Sequence, residues 1–328
     1  MTGNSSISIT LTDIWHAWVA FRRGKKPSRI ILQFESNLEE NLLRLCHDLN
    51  SGQYEHQEYS HKIVNEKKRR DIYVASVRDR VVHRLLYDYL VPIIDPKLDF
   101  DVWSCRVGKG LHSCLTRTEK LLAKHPTAWV WRADITKFFD SVPHDTLTEV
   151  IDRQITCSKT KNILDKIVSS YTSQSDRQTD RQTDRQTDRA IGLPIGNLTS
   201  QILSNLYMNE FDSFVRQQVK PLAYVRYGDD FVLFCGTSDK AALAKSLSIE
   251  KLLQMNLRIN EAQDNTIRSW QGLHFLGHVV RRDGSVISRK TKSLMLRRVT
   301  LRNISSYSSL KLDSKTNRLL SWLIDICD

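Results

Sequence analysis

Residues Tyr224–Phe234 read Y-V-R-Y-G-D-D-F-V-L-F, and the other motifs of the chain can be arranged around them. Two apolar, β-prone runs flank an abrupt Gly228-Asp229-Asp230. A Gly/Asp turn between apolar runs favours a β-hairpin. Such a hairpin would carry two carboxylates at its tip, where hard oxygen ligands can bind divalent cations. An isolated G-D-D is more often a solvated turn, so the interpretation depends on the rest of the chain.

A third carboxylate ends a neighbouring strand-like segment. Trp129–Asp134 (W-V-W-R-A-D) alternates like a half-buried strand, with Asp134 as its last residue. A lone acid at a strand end is more often a helix cap or turn residue. Beside Asp229 and Asp230, however, it would complete a three-carboxylate site. Such a site can hold two Mg²⁺ ions about 4 Å apart, clamping the oxygens of a phosphoryl transfer. We therefore predict Mg²⁺ as the cofactor, with Mn²⁺ as the alternative ion.

Composition restricts the class of protein. The 328 residues suggest two or three subdomains, and 40% hydrophobic with 26% charged residues is typical of a soluble globular protein. We find neither an apolar run of about 18 residues nor a signal-peptide layout, so we expect a cytoplasmic protein with no membrane partner. The six scattered cysteines argue against a zinc site or a disulfide framework. The net charge of +12 points to a polyanionic partner.

Three basic segments are candidates for contact with that partner. One precedes the strand-like Ile72–Val74 and suits a triphosphate or a nucleic-acid backbone. Another is the glycine-punctuated turn Trp103–Gly110, which leads into an amphipathic helix, Leu111–Lys124. The last is residues 281–302, with eight Lys/Arg against one Asp, which suits a duplex backbone. Solvated surfaces would also explain these runs. The cations singled out are Lys68 and Arg70, Arg106 and Lys109, and Lys290 and Arg297.

The remaining segments set the organisation of the chain. Residues 13–58 read as helices, the second of which stops at Ser51-Gly52. Residues 176–189 repeat D-R-Q-T three times before Asp188-Arg189, and without an apolar residue to bury they indicate a charge-balanced surface insertion. Gly192–Asn197 is a tight turn whose glycines would let the backbone approach a base or sugar closely. Leu273–Val280 reads as a strand, and Leu319–Ile326 as a short closing helix.

In their order along the chain these motifs resemble those of the reverse transcriptases, from about Val64 to Val280. R-D-I-Y-V-A-S-V-R-D-R-V-V resembles the fingers motif, R-V-G-K-G-L-H the basic turn that follows, and R-A-D-I-T-K-F-F-D-S-V the first palm motif. G-L-P-I-G-N-L-T-S-Q resembles the nucleotide-pocket motif, Y-G-D-D the Tyr-x-Asp-Asp box, and H-F-L-G-H the primer-gripping strand. The set together is highly specific, although Y-G-D-D alone is not.

The resemblance implies an RNA-directed DNA polymerase that extends a DNA or RNA primer on an RNA template with deoxynucleoside triphosphates. It implies catalytic roles for Asp134, Asp229 and Asp230, which with Ile135 would bind the metal. Phe139 matches the aromatic residue that crowds a ribose 2′-hydroxyl. The implied nucleotide-binding residues are Lys68, Arg70, Phe139, Pro194, Ile195, Gly196 and Gln201. The implied nucleic-acid-binding residues are Arg106, Lys109, Tyr227, Gly228, Leu276, Gly277, Lys290 and Arg297.

The same resemblance implies an α+β fold of the right-hand polymerase type. Such a fold has fingers, a palm made of an antiparallel sheet backed by helices, and here a small helical thumb. We predict an N-terminal helical extension over residues 1–57 and fingers and palm over 58–285, with the repeat inserted at 176–189. A short basic thumb-like region would follow over 286–328, too short for a full three-helix thumb.

Within the family, I-G-N-L-T-S-Q differs from the commoner Q-G-x-x-x-S-P form, because Ile195 replaces the glutamine and Gln201 the proline. The I-G-x-x-x-S-Q form resembles the enzymes of diversity-generating retroelements, which copy a template RNA with errors at adenines. An aliphatic side chain cannot donate the hydrogen bonds of a glutamine. This difference is a physical reason to expect looser selection of the incoming nucleotide. A small basic accessory protein is then a further expected partner. The alternative subtype is a phage-defence or other uncharacterised bacterial reverse transcriptase.

Ala262 and Gln263 stand where many relatives carry a lysine thought to protonate pyrophosphate, which argues against such acid assistance here.

Other functions fit the sequence less well. An RNA-dependent RNA polymerase also uses G-D-D, but Phe139 and the Gly192–Gln201 turn disfavour it. A non-catalytic nucleic-acid binder, an inactive copy included, is the alternative from another class. The presence of all three acids argues against it. A purely structural or assembly role stays open.

Overall fold

The computed structural model describes residue 7 and residues 9–65, 69–173 and 190–298, apart from the side chains of Asn65 and Arg69. Lys68, the 176–189 repeat and the predicted helix Leu319–Ile326 lie outside the described residues. The chain divides into two compact units. The first contains the chain up to Leu98 together with Lys137–Glu210, and the second contains Asp99–Thr136 together with the chain from Phe211 onward. No described helix combines the length and the apolar character needed to cross a membrane.

The described residues form helices and strands in mixed order along the chain. In chain order they are α1 (Leu11–Arg22), α2 (Arg29–Glu35), α3 (Leu38–Ser51), β1 (Ser60–Asn65), β2 (Arg69–Val74), α4 (Val77–Ile94), α5 (Leu111–Lys124), β3 (Trp129–Asp134), α6 (Phe138–Ser141), α7 (His144–Gln154), α8 (Ser158–Ser169), α9 (Leu198–Phe214), β4 (Ala223–Tyr227), β5 (Asp230–Cys235), α10 (Ser238–Gln254), β6 (Asn265–Arg268), β7 (Leu273–Phe275), β8 (His278–Arg281), β9 (Gly284–Ile287) and α11 (Arg289–Arg298). The bounds of α5 and β3 are those predicted from the sequence.

The first unit is mainly helical. The side chains of Thr10 and Asp13 form a capping box at the start of α1, which packs on α4. α3 ends before Gly52, whose φ of 77° is the left-handed conformation expected after a helix, as the Ser51-Gly52 signal predicted. β1 and β2 pair antiparallel as a two-stranded sheet, which is the part of this unit that carries Arg70.

The second unit is built on a four-stranded sheet with the order β4-β5-β3-β6, in which all neighbours are antiparallel. All six residues of β5 are buried, because the apolar side of α5 covers one face of the sheet while α10 and Phe211, near the end of α9, cover the other. On that second face the ring of Phe231 lies 5.4 Å from Trp131 and 5.1 Å from Phe211. Burial on both faces explains why F-V-L-F-C is continuously apolar. The predicted hairpin and the α+β class are confirmed.

The prediction that Leu273–Val280 forms one strand is wrong. The segment is a hairpin in which β7 pairs with β8 across a two-residue turn, and β9 completes a three-stranded sheet. The turn residues Leu276 and Gly277 have φ of 50° and 78°. Two positive φ angles are typical of a type I′ hairpin turn. Leucine rarely adopts that conformation, so the local sequence gave only a weak turn signal.

Candidate active site

The three predicted catalytic acids lie at adjoining backbone positions of the second unit. β3 and β5 pair antiparallel, with Asp134 directly opposite Asp230. β4 and β5 pair as far as Tyr227 and Asp230, so Asp229 lies in the connecting turn. The amide of Ile135 donates to the Asp229 carbonyl at 3.1 Å. The antiparallel register therefore brings together residues almost 100 positions apart, as the sequence interpretation required.

The carboxylate of Asp230 is held by an arginine that the sequence analysis missed. Arg132 Nε and Nη2 donate to the two Asp230 oxygens at 2.9 and 2.6 Å. Burial raises the pKa of Asp230 to about 6, although the Arg132 guanidinium opposes that rise. A signal was present in the sequence, because Arg132 precedes Asp134 by two positions and shares its face of the strand.

Asp134 is engaged from the segment after α10. Its Oδ2 accepts from Gln263 Nε2 at 2.8 Å and from Asn260 Nδ2 at 3.3 Å. Gln263 Oε1 in turn accepts from Arg132 Nη2 at 2.9 Å. Gln263, which the sequence singled out only because a lysine is missing there, therefore links Asp134 to Arg132, the partner of Asp230.

The carboxylates of Asp134, Asp229 and Asp230 are chemically suited to Mg²⁺, because that ion prefers oxygen ligands. Among the residues that the structure describes, however, no three acidic, histidine or cysteine side chains are grouped closely enough to hold an ion. Asp230 and Asp134 instead bind Arg132, Gln263 and Asn260. Ion binding would therefore replace these side-chain contacts with ion contacts, while the backbone already places the acids side by side.

Replacing Arg132 by glutamine is expected to lower, by about fivefold, the Mg²⁺ concentration that half-maximally stabilises the protein. The change removes a cation that competes for Asp230. The pair is largely buried, so the cost of desolvation offsets most of its attraction, and we take its net contribution as on the order of 1 kcal/mol. The measurement is the thermal unfolding midpoint over a Mg²⁺ series. Arg132→Lys keeps the charge and should keep the wild-type dependence. An unchanged Mg²⁺ dependence in Arg132→Gln would argue against Asp230 as a ligand.

The predicted nucleotide-binding turn and the predicted sugar-contacting residue adjoin each other in the first unit. Leu193 N–H donates to the Phe139 carbonyl at 2.6 Å, and Gly192 N–H donates to the Val142 carbonyl at 2.8 Å. Phe139 is half-buried, and its ring meets Phe138 edge to face at a centroid distance of 5.3 Å. The turn therefore fixes the backbone that carries Phe139, although the two are separated by more than 50 residues.

The same turn is bonded to the fingers-like strand β2. Tyr73 N–H donates to the Ile195 carbonyl at 3.1 Å, and Asn197 Nδ2 donates to the Tyr73 carbonyl at 2.8 Å. Gly196 has φ of 108°, and a Cβ there would lie 2.8 Å from the Cγ2 atom of Ile72. Contact with Ile72 therefore explains this glycine within the protein, whereas the sequence pattern favoured the close approach of a base or sugar.

The other nucleotide-binding predictions take varied positions in the first unit. Arg70 is exposed on β2, where it pairs with Val64. Pro194 is buried in the turn, and Gln201 lies half-buried in the first turn of α9. The structure thus places Arg70 on the strand that is bonded to the turn. The nucleotide-binding roles themselves remain predictions.

Arg106 and Lys109 have partners within their own loop. Arg106 Nη1 donates to the Asp99 carbonyl at 2.7 Å, and Lys109 Nζ donates to the Val102 carbonyl at 3.3 Å. The Lys109 ammonium also lies 4.6 Å from the centroid of the Phe100 ring. Both cations therefore help to hold this loop, and their contact with nucleic acid remains a prediction.

The predicted primer-contacting turns have defined supports. Gly228, with φ of 67°, follows Tyr227 in the β4–β5 turn. In the β7–β8 turn, the Gly277 carbonyl accepts from Ser288 N–H at 3.0 Å, just before α11 begins. Lys290 and Arg297 are exposed on α11, whose buried residue is Met295. The part of the predicted thumb beyond residue 298 lies outside the described residues.

The sequence profile of the reverse transcriptase (RNA-dependent DNA polymerase) family matches residues 60–280. The chain belongs to the reverse transcriptase family. The matched range contains the three acids, the Gly192–Gln201 turn and Phe139, so the family resemblance found in the sequence is confirmed. The α+β fold of this reverse transcriptase is accordingly that of a right-hand polymerase.

Curated relatives match at low identity. Protein YkfC of Escherichia coli strain K12 is 25% identical, over 64% of this chain and 63% of that protein. The group II intron-encoded protein LtrA of Lactococcus lactis is 22% identical, over 55% of this chain and 29% of that protein. The reverse transcriptase chain thus spans less than two thirds of the length of either relative. These matches support a bacterial reverse transcriptase of the group II intron-like type.

A solved structure of apo telomerase from Candida tropicalis, truncated from its C-terminal domain, is also similar. It is 13% identical, covers 76% of this chain and 60% of that chain, and has a TM-score of 0.47. A similarity at this level adds nothing to the family assignment, which the sequence profile carries.

Proposed function

We propose that the chain is an RNA-directed DNA polymerase that extends a primer on an RNA template with deoxynucleoside triphosphates. The observation that carries this proposal is the cross-strand pairing of Asp134 with Asp230 beside the turn that holds Asp229. In a member of the reverse transcriptase family, that arrangement supports the proposal, because three acids that lie close together could hold the ions of a metal-assisted nucleotidyl transfer.

Asp134, Asp229, Asp230 and the neighbouring Ile135 are the residues that would hold two Mg²⁺ ions. Bound there, the ions would offset the charge of the transferred phosphoryl group and orient the primer 3′-hydroxyl. Gln263 holds the Asp134 carboxylate through its amide. A glutamine has no ionisable proton, so departure of pyrophosphate would proceed without acid assistance from this position.

The substrates would be recognised by charge and shape. Arg70 would bind the triphosphate, since a guanidinium matches phosphate oxygens in geometry and charge. Phe139 would exclude a ribose 2′-hydroxyl, while Gly196 and its neighbours would line the base. The residues that would contact template and primer are Arg106, Lys109, Tyr227, Gly228, Leu276, Gly277, Lys290 and Arg297.

Primer extension tests this function directly. The full chain would receive a primed RNA template, Mg²⁺ and either deoxynucleotides or ribonucleotides. Extension with deoxynucleotides alone is the expected result. Extension with ribonucleotides alone would support an RNA-dependent RNA polymerase, and binding of the primed template without extension would support a non-catalytic nucleic-acid binder.

We propose further that the enzyme is error-prone at template adenines, as part of a diversity-generating retroelement with a small basic accessory protein. Ile195 supports this subtype, because its aliphatic side chain cannot make the hydrogen bonds of the commoner glutamine. Its carbonyl accepts from Tyr73 N–H, so the turn is held by backbone contacts that survive a side-chain change. The alternative is a phage-defence or other uncharacterised bacterial reverse transcriptase.

Replacing Ile195 by glutamine is expected to lower misincorporation opposite template adenine by about tenfold. One restored hydrogen bond contributes about 1 kcal/mol or slightly more, and 1.36 kcal/mol corresponds to a tenfold change in rate. The measurement is sequencing of complementary DNA made on a defined RNA template. Ile195→Val, which stays aliphatic, should keep the wild-type error rate. If Ile195→Gln makes as many errors at adenine as the wild type, the subtype argument fails.

A further inference from the structure

A buried ion pair lies behind the turn that carries Asp229. Arg226 and Asp212 each have side chains only 1% exposed. Arg226 Nε donates to Asp212 Oδ1 at 2.7 Å, and Nη2 donates to Oδ2 at 2.6 Å. The Tyr224 hydroxyl donates to the same Oδ1 at 2.6 Å. A two-pronged contact of this kind orients the guanidinium as well as neutralising it.

The remaining side of the guanidinium points at the catalytic turn. Arg226 Nη1 donates to the Gly228 carbonyl at 3.0 Å. That carbonyl belongs to the peptide unit whose amide nitrogen is that of Asp229. Gly228 has φ of 67°, and a glycine places few steric limits on rotation of its peptide. The hydrogen bond from Arg226 therefore restrains a peptide unit that the residue type leaves free.

The backbone of Arg226 is also fixed, because both its N–H and its carbonyl are hydrogen-bonded. Its N–H donates to the Asp101 carbonyl at 2.9 Å, and its carbonyl accepts from Trp103 N–H at 2.9 Å. These bonds join the outer edge of β4 to the loop before α5. Arg226 is therefore held through both its side chain and its main chain, so its hydrogen bond can restrain the position of the Gly228 carbonyl in the turn.

Stability alone is a weak reason for such a pair. Burying two charges costs about as much as their attraction returns, and apolar replacements of similar volume are often neutral or stabilising. An apolar cluster, however, would leave the Gly228 carbonyl without this donor. The pair thus supplies something that a hydrophobic core cannot, which is a directed hydrogen bond to the turn.

We propose that Arg226 is a positioning residue for Asp229. Asp212 holds the Arg226 guanidinium and also accepts a hydrogen bond from Tyr224. The guanidinium in turn fixes the Gly228–Asp229 peptide and thereby sets the direction of the Asp229 carboxylate. This inference rests on the proposed function of Asp229 as a metal ligand, and it assigns no contact between Arg226 and substrate.

The test uses a set of full-length variants. Arg226→Lys keeps the charge but loses the guanidinium fork. The triple variant Tyr224→Phe, Asp212→Leu, Arg226→Met removes all members of the buried polar cluster together, so no charge is left unpaired. Asp229→Asn is the reference for loss of the ligand. For each, we would measure the unfolding midpoint without metal, the Mn²⁺ affinity by water-proton relaxation, and kcat and KM in primer extension.

We expect the triple variant to fold with an unfolding midpoint close to that of the wild type. Its Mn²⁺ affinity should fall about tenfold and its kcat about 10²-fold, since a misplacement of about 1 Å can cost that much, while the KM for deoxynucleotide stays unchanged. Arg226→Lys should change in the same direction. A folded triple variant with wild-type Mn²⁺ affinity and kcat would overturn the inference and leave the pair a purely structural role.

The Mn²⁺ titration separates this inference from the proposed function. If the wild type binds Mn²⁺ but does not extend a primer, the proposed activity fails, and weaker Mn²⁺ binding by Arg226→Lys still supports positioning. If the affinity of Arg226→Lys and of the triple variant equals that of the wild type, positioning is wrong whatever the activity. If the wild type binds Mn²⁺ no better than Asp229→Asn, the metal-ligand role of Asp229 and the inference both fail.

Discussion

Asp229→Asn is expected to reduce primer extension by at least about 10³-fold. A metal site lowers the barrier of phosphoryl transfer by several kcal/mol, and each 1.36 kcal/mol is a factor of ten in rate. Asparagine keeps the shape of the side chain but removes the negative charge that binds a cation. Asp134→Asn should have an effect of the same size, because Asp134 lies directly opposite Asp230 at the end of the adjacent strand.

The measurement is single-turnover extension of a primed RNA template, with the fold checked by thermal unfolding. Asp283→Asn is the matched control, because Asp283 is exposed in the turn between β8 and β9 and has no proposed catalytic role. Its rate should equal that of the wild type. Near-wild-type extension by well-folded Asp229→Asn would remove Asp229 from the catalytic residues.

Phe139→Ala is expected to reduce the preference for deoxynucleotides over ribonucleotides by about 10- to 100-fold. Discrimination against one additional hydroxyl group by shape alone is of that order. The ring of Phe139 is held against Phe138, and its backbone carbonyl accepts from Leu193 N–H. A ring that packs on Phe138 and is carried by a fixed backbone can exclude a hydroxyl group, whereas a methyl side chain leaves room for it.

The selectivity is the ratio of kcat/KM for a deoxynucleotide to that for the matching ribonucleotide. Phe139→Tyr keeps the ring and should keep most of the discrimination. Since Phe139 is only half-buried, alanine should cost less stability than the roughly 3–5 kcal/mol typical of a fully buried phenylalanine. An unchanged ratio in Phe139→Ala would assign sugar selection to another residue.

Local elements were predictable because their signals lie within a few residues of one another. β3 follows the alternation of W-V-W-R-A-D, α5 follows the apolar period after the Trp103–Gly110 turn, and the end of α3 follows Ser51-Gly52. The hairpin around Gly228-Asp229 followed from turn chemistry between two apolar runs. The exception is the Leu276–Gly277 turn, because nothing local predicts a leucine with positive φ.

The proximity of the acids was a hypothesis that needed two strands to pair. The sequence placed Asp134 and Asp230 each at the boundary of a strand, but only antiparallel pairing of β3 with β5 brings them opposite each other. The order of motifs along the chain supported that pairing because it resembles the reverse transcriptase family. The family was therefore predictable from sequence before the register of the strands was known.

Thus the sequence by itself determined the family, the order of the motifs and most of the elements, since these depend on short-range patterns. Only the tertiary structure decided which side chains hold the acids and the turns. Arg132 binds Asp230 across 98 positions, Gln263 binds Asp134 across 129, and Arg226 meets Asp212 on another element. Such partners depend on strand register and on helix packing. Each polar side chain buried by that packing needs a hydrogen-bonding partner, and the fold rather than the neighbouring sequence supplies it.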